Sequence, residues 1–361
     1  MIVFLDNSLS TIKDTDFEYL AGLESVLCAS FNGDHLLLGS FKTIEALLKL
    51  QMGQKSKAVL KRIRERISYS GNAVNSQTSY VVHVVRGSSL SRTTSRSWTI
   101  PVEKFANQTM PPSIVLGENL LDAEAYIFGA KHAKAKKKLK DNCKMKPAPG
   151  GGSEISVALG AIIQHESGFC FCITDGDYCD PKTEQSLSTK RCLELANKTL
   201  WPTLALDIKA KSIENILPIN ILEDALIPFP STAFYEFKRF ATADRDIATY
   251  LNIKDGLKYC SISSEANESS RKTFWISKFN SLGFSDAIKK FAGSVTTCND
   301  DKCNECPSIQ GIGPKVLARV VDYFKKTTPY KIAERTDDES LWIDLGIEVY
   351  RWCLADDPIR L

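Results

Sequence analysis

An apolar run of six residues, FCFCIT at positions 169–174, ends at the acidic triplet DGD, Asp175 to Asp177. A continuous apolar run of this length is typical of a strand that is buried on both faces of a sheet. Helical patterns flank it, ISVALGAIIQH before and TKRCLELANKTL after. Strands that alternate with helices at this spacing predict parallel βαβ units, with functional groups at the carboxyl ends of the strands. The sequence therefore predicts an α/β fold.

The length of 361 residues allows two or three domains. We predict an N-terminal α/β region at 1–110, a Rossmann-like domain with a mostly parallel sheet at 111–227, and a mainly helical region at 228–361. The double proline Pro111–Pro112 marks the first boundary. Two segments are predicted to be irregular because of their composition, SSLSRTTSRS at 88–97 and PAPGGGS at 147–153.

Charge and cysteine content place the chain among ordinary proteins of the cytoplasm. The net charge is only +3, so any attraction to a polyanion must come from local clusters. No apolar stretch is long enough to span a membrane, and MIVFLDNSLS lacks the apolar core of a signal peptide. Eleven cysteines without a signal peptide favour reduced thiols over a disulfide framework.

Acidic residues follow two predicted strands. A single acid in this position more often starts a turn or caps a helix. Asp175 and Asp177, however, share strand parity, and two anions so close repel unless a cation or a proton intervenes. Glu118 ends the preceding strand, SIVLGEN, and Asp122 lies four residues further on. Such carboxylates can hold one or two Mg²⁺ or Mn²⁺ ions for attack on a phosphodiester.

Three motifs in this order resemble the TOPRIM domain of topoisomerases, bacterial primases and OLD-type nucleases: GEN-LLD from Gly117, the turn GGG at 150–152, and ITDGD. The later segment SIENILP, with Glu214, is similar to a segment of OLD-like and related phage-defence TOPRIM nucleases. The resemblance covers about residues 112–226. It implies that Glu118, Asp175 and Asp177 are catalytic, and that Asp122 and Glu214 join them as metal ligands. The family places a glycine after its glutamate, whereas here Gly117 precedes Glu118.

The resemblance also implies a function and partners. We expect a metal-dependent endonuclease that cleaves DNA or RNA, tRNA included, and that acts as the toxic effector of an anti-phage system. Related chains act beside an ATPase of the ABC or OLD kind, and this chain contains no G-x4-G-K-[ST] phosphate-binding loop of its own. Nucleic acid and a partner ATPase are therefore expected, no membrane is, and a homo-oligomer is left open.

Lysines crowd the segment KHAKAKKKLK at 131–140, which we predict to be the distal half of a long helix that begins beside Glu118. A solvated helix face explains such a run as well as nucleic-acid binding does. The candidate contacts to a nucleic-acid backbone are Lys134, Lys136, Lys137, Lys138 and Lys140. The arginines of KRIRER at 61–66 and of SRTTSRS are candidates for the same surface.

Two motifs lie in the C-terminal region. Cys298, Cys303 and Cys306 have a spacing that suits structural zinc in its second half only, so free thiols remain the alternative. GIGPKVLARVV, which begins at Gly311, resembles the turn of a helix-hairpin-helix motif, where backbone amides bind a phosphate. A helix start with Pro314 in its first turn explains this segment equally well.

Two other functions compete with the TOPRIM nuclease. One is a PIN-like nuclease, which would use Asp6, at the end of the apolar run MIVFL, as a principal metal ligand. The other is a non-catalytic module that binds nucleic acid or a partner and keeps the acidic cluster as a scaffold.

Overall fold

The structure is a computed structural model and describes residues 1–75, 79–227, 231–258, 268–284, 308–337 and 340–360. The chain divides into two compact units. The first unit contains residues 1–173, 191–206 and 343–361, and the second contains residues 174–190 and 207–342. Each unit thus combines segments that are distant in the chain, whereas the sequence predicts three consecutive domains. None of the helices in the described ranges is long and apolar enough to cross a bilayer.

A five-stranded sheet forms the N-terminal part of the first unit. Its strands are β1 (Ile2–Leu5), β2 (Leu36–Gly39), β3 (Val81–Val85), β4 (Ser91–Thr94) and β5 (Ser97–Pro101). Their order is β2-β1-β3-β5-β4, and only β4 is antiparallel to its neighbour. The accompanying helices are α1 (Phe17–Phe31), α2 (Phe41–Leu48) and α3 (Gln54–Asn75).

The serine- and arginine-rich segment is a hairpin of β4 and β5, so the prediction of a loop was wrong. Its arginines cover aromatic rings: Arg92 Cζ lies 5.3 Å from the ring centroid of Trp98, and Arg96 Cζ lies 4.5 Å from the ring centroid of Tyr80. Trp98 is fully buried. The polar composition of the segment suggested a loop. In the strand, however, the arginine stems pack on apolar surface while their charged ends reach water.

A second sheet of four strands follows the predicted boundary at Pro111–Pro112. It contains β6 (Ser113–Gly117), β8 (Lys146–Pro149), β9 (Phe169–Thr174) and β10 (Thr203–Asp207), and its order is β10-β9-β6-β8. The associated helices are α4 (Leu120–Lys136), α5 (Ile155–Gln164) and α6 (Leu187–Lys198). All four strands are parallel, which confirms the predicted α/β class.

Strand β8 corrects the prediction for PAPGGGS, because the first three residues of that segment, PAP, belong to β8 and pair with β6. Proline removes a hydrogen-bond donor and is excluded from central strands, but β8 lies at the edge of the sheet and has a single neighbour. A short pair of strands, β7 (Asn142–Cys143) and β13 (Leu354–Ala355), completes this part of the unit.

The two large sheets share one aromatic core. Trp352 ends helix α13 (Leu341–Trp352), and its ring lies 5.1 Å from that of Tyr80, 5.6 Å from Trp98 and 5.7 Å from Phe171. Tyr80 and Trp98 belong to the first sheet and Phe171 to the second. The N-terminal hundred residues therefore form their own sheet but not their own core.

Helices dominate the described part of the second unit. They are α7 (Ile219–Leu226), α8 (Thr232–Ala243), α9 (Arg245–Tyr250), α10 (Glu268–Ser281), α11 (Val316–Lys326) and α12 (Pro329–Glu334). Strands β11 (Gly256–Lys258) and β12 (Ser308–Gln310) form an antiparallel pair. Buried Phe240, Trp275 and Phe279 pack together at centroid distances of 5.5 and 5.7 Å.

Candidate active site

The predicted site residues fall in both units. Glu118 and Asp122 belong to the first unit, and Asp175, Asp177 and Glu214 belong to the second. In the first unit, Glu118 directly follows β6 and is half-buried. The glycine-rich turn holds its backbone, because Gly152 N–H donates to Glu118 O at 2.9 Å and Gly150 N–H donates to Gly117 O at 2.7 Å. A Cβ atom at Gly150 would lie 2.5 Å from Ile155 Cγ1. Glycine is therefore required at 150 for this close approach.

Asp122 serves helix α4 as part of a capping box. Its Oδ2 accepts from Asn119 N–H at 2.7 Å, and the Asn119 side chain accepts from the backbone N–H of Asp122. The residue is only 4% exposed. These bonds stabilise the start of α4, directly after Glu118, because the first N–H groups of a helix have no partner within it. The predicted role of Asp122 as a metal ligand remains a prediction.

Buried thiols line the core behind this half. Cys170, Cys172 and Cys192 pack with Leu116. A hydrogen bond to Cys192, together with burial, raises the pKa of Cys172, and the charge of Glu118 raises it further. Cys172 is thus held as a neutral thiol, and all three cysteines are buried core residues.

The second unit contains Asp175, Asp177 and Glu214. Asp175 directly follows β9, is 9% exposed, and accepts from Ile213 N–H through Oδ1 at 3.1 Å. Ile213 begins the 3-10 helix Ile213–Ile216, which is the IEN segment. Thr189 Oγ1 donates to Asp175 O at 3.2 Å. The structure thus brings together the DGD and IEN motifs, which are 38 residues apart.

Glu214 is the most buried carboxylate of this half, at 1% exposure. Its Oε1 lies 3.2 Å from Lys254 Nζ. Its Oε2 has no hydrogen-bond partner among the described residues. A buried carboxylate oxygen without a partner costs free energy, so this atom marks a place where a cation would be favourable.

Asp177 differs from Asp175 in conformation and surroundings. Its φ is 53°, its side chain is 56% exposed, and its Oδ1 lies 2.8 Å from Lys211 Nζ. The strand parity used to predict two neighbouring carboxylates does not extend to Asp177, because β9 ends at Thr174. Lys211 is thus the ion-pair partner of Asp177.

Asp207 is a third acidic residue at a strand end of the second sheet, besides Glu118 and Asp175, and it was not predicted as a site residue. It ends β10, and its Oδ2 accepts from Tyr178 Oη at 2.6 Å, Gln185 Nε2 at 2.7 Å and Lys209 Nζ at 2.8 Å. Burial acts to raise the pKa of Asp207, but these hydrogen bonds outweigh burial and hold the pKa below its usual range. In the sequence, the position of Asp207 at the end of the run LALD was the signal that could have identified this acid. The three donors to Oδ2 indicate a structural role.

A hard cation suits the donor chemistry of Asp175 and Glu214. Within the described ranges, no three His, Cys, Asp or Glu side chains are close enough together to hold a metal ion. Mg²⁺, however, is commonly bound through one or two carboxylates, with water and substrate phosphate completing its shell. The buried Oε2 of Glu214, which has no hydrogen-bond partner among the described residues, is suited to be one such carboxylate ligand.

The lysine-rich segment is helical only in part, since α4 ends at Lys136 and Lys138 has a φ of 53°. Leu139 N–H donates to Lys134 O at 2.9 Å, which terminates the helix. Lys134 and Lys136 are half-buried, and Lys134 Nζ donates to Asn142 Oδ1 at 2.9 Å. Of the five candidate lysines, Lys137, Lys138 and Lys140 are exposed. They remain candidates for nucleic-acid contacts.

The arginines of KRIRER have intramolecular partners. Arg62 and Arg66 both pair with Asp356, which is 4% exposed, and Arg64 pairs with Glu45. Arg62 and Arg66 therefore stabilise the C-terminal segment on α3, and a nucleic-acid surface at KRIRER remains a prediction. Cys298, Cys303 and Cys306 lie outside the described residues, so structural zinc remains a prediction.

No family model matches the chain, and no curated protein or solved structure shows significant similarity to it. The likeness to TOPRIM nucleases therefore rests on the motifs around Glu118, Asp175 and Glu214. Each of these motifs occupies a strand end or a 3-10 helix in the structure.

Proposed function

We propose that this protein is a Mg²⁺-dependent nuclease of the TOPRIM type, which cleaves phosphodiester bonds of DNA or RNA, tRNA included. The single observation that carries the proposal is the bond between Asp175 Oδ1 and Ile213 N–H. It joins the DGD motif to the segment that contains Glu214, whose buried Oε2 has no hydrogen-bond partner among the described residues. A purely structural carboxylate is expected to have both oxygens satisfied, as in Asp207, where Oδ1 accepts from Lys209 N–H at 3.1 Å and Oδ2 accepts from three side chains.

Each residue has a proposed task. Asp175 and Glu214 hold Mg²⁺ or Mn²⁺, with Asp177 as a further ligand once it leaves Lys211. The bound ion supplies Lewis-acid stabilisation of the phosphate and lowers the pKa of water. Glu118 acts as general acid or base or as a metal ligand, and Asp122 fixes the helix start beside it. The exposed lysines after α4 attract the polyanion, which predicts binding that weakens steeply with salt.

The biological setting is part of the same proposal. A cytoplasmic nuclease that attacks cellular nucleic acid is toxic, so its activity requires control. The sequence contains no phosphate-binding loop of the P-loop type, so ATP-dependent control would come from a partner ATPase of the ABC or OLD kind. We propose that the protein is the toxic effector of an anti-phage defence system, acting alone or as a homo-oligomer beside that partner.

The test compares wild type with the double variant Asp175→Asn/Asp177→Asn. Both are expressed in bacteria with and without the neighbouring genes, and total DNA, total RNA and growth are followed. The purified full chains are also incubated with plasmid DNA and with tRNA in Mn²⁺ or EDTA. We expect growth arrest and metal-dependent cleavage with the wild type only. Equal cleavage by both proteins would refute a catalytic role for the DGD motif, and the absence of cleavage in every arm would favour a binding module.

A further inference from the structure

The turn between α9 and β11 carries a lysine into the buried acidic site. Lys254 Nζ lies 3.2 Å from Glu214 Oε1, and the Glu214 side chain is 1% exposed. The side chain of Lys254 itself is 36% exposed, so its charged end extends from a solvent-facing turn to a buried anion. A buried carboxylate requires a compensating charge, and Lys254 supplies one at Oε1 while Oε2 has no hydrogen-bond partner within the described part of the chain.

The IEN segment also holds the turn that carries this lysine. Asn215 Nδ2 donates to Ala248 O at 2.6 Å and to Leu251 O at 2.7 Å. Asn252 Oδ1 in turn accepts from Lys254 N–H at 3.1 Å. Glu214 and Asn215 therefore bind the same turn, one through the lysine side chain and the other through the backbone.

The glycine motif at 311–313 clamps the turn from another direction. Ile312 N–H donates to Ile253 O at 2.8 Å, and Gly313 N–H donates to Lys254 O at 3.0 Å. A Cβ atom at Gly311 would lie 2.1 Å from Lys254 O, so only glycine allows this approach. Two backbone amides that the helix-hairpin-helix interpretation would direct at a phosphate are thus used to position Lys254.

A second lysine repeats the arrangement. Lys211 Nζ lies 2.8 Å from Asp177 Oδ1, and Lys211 N–H donates to Thr249 O at 2.9 Å, in the same α9 region. Lys211 O accepts from Asp177 N–H at 3.1 Å. Asp177 and Glu214 are thus each paired with a lysine. Lys211 is bonded through its backbone to α9, and Lys254 lies in the turn after α9.

We propose that Lys254 is a built-in counter-cation of Glu214, whose charge opposes the binding of a divalent metal ion to the same carboxylate. The inference rests on the proposed function, because it takes Asp175 and Glu214 as the metal-binding residues. Two cations that compete for one buried carboxylate oppose each other, and linkage makes the effect reciprocal. Metal binding therefore releases Lys254, and removal of the Lys254 charge tightens metal binding.

The test measures metal binding rather than cleavage. Mn²⁺ is titrated calorimetrically into the full chain as wild type, Lys254→Met, Lys254→Arg and Glu214→Gln. We expect Lys254→Met to bind Mn²⁺ at least about fivefold more tightly than the wild type, in the range typical of coupled sites. Lys254→Arg, which keeps the charge, should remain close to the wild type, and Glu214→Gln should lose the site.

A charge-matched control separates local competition from long-range attraction. Lys238→Met removes a lysine whose Nζ lies 2.7 Å from Glu223 Oε1 and whose side chain is also 36% exposed. It changes the net charge by the same amount as Lys254→Met. We expect no more than about a twofold change in Mn²⁺ affinity, because Lys238 pairs with Glu223 rather than with Glu214, and solvent screens the effect of a charge that does not contact the site. An equal gain in both lysine variants would overturn the proposal.

A second readout uses the wild type and does not depend on how any variant folds. An amine-reactive acylating reagent, followed by peptide mass spectrometry, reports the exposure of Lys254 with and without saturating Mn²⁺. We expect the modification of Lys254 to increase with metal, while that of Lys238 stays constant. Unchanged reactivity of Lys254 at saturation would overturn the displacement model.

The outcomes distinguish this proposal from the proposed function. If Mn²⁺ binds the wild type, Glu214→Gln abolishes binding, and Lys254→Met binds no more tightly, the metal site stands and the counter-cation is refuted. If Glu214→Gln binds Mn²⁺ as the wild type does, the site itself is refuted, and both proposals fail together.

Discussion

Each of the two large sheets has an acidic residue immediately after a central strand, but the two residues have different surroundings. Asp6 follows β1, and its Oδ1 accepts from Ser8 N–H, two residues away, at 2.8 Å. Asp175 follows β9 and accepts from Ile213 N–H, 38 residues away. The first is a local cap of the 3-10 helix Asn7–Thr11, whereas the second joins two distant segments. The position of an acidic residue at a strand end in the sequence therefore does not reveal whether the residue caps a helix or forms part of a site.

Hydrogen bonds from the start of α2 also occupy the residue next to Asp6. Asn7 Oδ1 accepts from Ser40 Oγ at 2.6 Å and from Thr43 Oγ1 at 2.8 Å. Burial acts to raise the pKa of Asp6, but the hydrogen bonds from Ser8 and Asn7 outweigh burial and lower the pKa. These contacts favour a capping role for Asp6 over the metal-ligand role that a PIN-like nuclease would require.

The largest expected effect is on the cleavage rate, and it distinguishes an acid of the second sheet, Glu118, from the acid of the first sheet, Asp6. Glu118→Gln should lower the rate of metal-dependent cleavage by about two to three orders of magnitude, because several kcal/mol of transition-state stabilisation depend on such a group. Asp6→Asn should stay within about twofold of the wild type, since Asn caps a helix as well as Asp does. The measurement is the initial cleavage rate in Mn²⁺ of the two variants. An inactive Asp6→Asn beside an active Glu118→Gln would reverse the comparison and favour the PIN-like nuclease.

A second prediction concerns the turn that supports Glu118. Gly150→Ala should lower the free energy of unfolding by about 1–3 kcal/mol, the usual cost of overpacking, because its Cβ would meet Ile155 Cγ1 at 2.5 Å and Gly117 O at 2.8 Å. Gly160→Ala, in α5, is the matched control, since a Cβ there meets nothing within 4 Å. It should raise the free energy of unfolding by up to about 1 kcal/mol. Urea denaturation measures both, and equal stability of the two variants would contradict the close approach at Gly150.

A third prediction tests the core shared by the two sheets. His35 is fully buried, its Nε2 lies 2.8 Å from Pro111 O, and its ring lies 5.3 Å from that of Phe169. Burial lowers the pKa of His35 from 6.5 to about 3. Between these values the unfolded chain binds a proton that the folded chain does not. Stability is therefore lost as the pH falls below 6.5, by about 2 kcal/mol at pH 5 from this residue.

The measurement is the difference in unfolding free energy between pH 7.5 and pH 5. His35→Gln should reduce this difference by about 2 kcal/mol relative to the wild type. His165→Gln changes an exposed histidine and should leave the difference unchanged. If His35→Gln keeps the full pH dependence of the wild type, His35 does not couple folding to protonation.

The smallest expected effect examines the cap at Asp6. Asp6→Ala should lower the free energy of unfolding by about 1 kcal/mol, as the loss of a cap usually does, and Asp6→Asn should change it little. Thermal unfolding with and without Mn²⁺ compares the two variants. Loss of a Mn²⁺-dependent stabilisation in Asp6→Asn would show that this acid binds metal after all.

The sequence predicted the strands around the site better than it predicted the contacts of the site. Strands β1, β6, β9 and β10 were recognised because continuous apolar runs indicate buried strands. Strand β8 and the β4–β5 hairpin were missed, since proline and arginine suggest loops unless the edge position and the covering aromatic rings are known. Asp207 was missed for a related reason, because two of its three side-chain donors, Tyr178 and Gln185, come from another segment of the chain.

By itself the sequence determined the α/β class, the parallel order of strand and helix, and the acids at the strand ends, because apolar runs and helix caps depend on neighbours within a few residues. Only the tertiary structure decided which acids have local partners and which have distant ones. Asp175 meets the IEN segment, Glu214 meets Lys254, and the turn at 311–313 clamps that lysine. Such pairs depend on how distant segments pack, and a buried carboxylate takes its charge partner from whichever segment the fold places beside it.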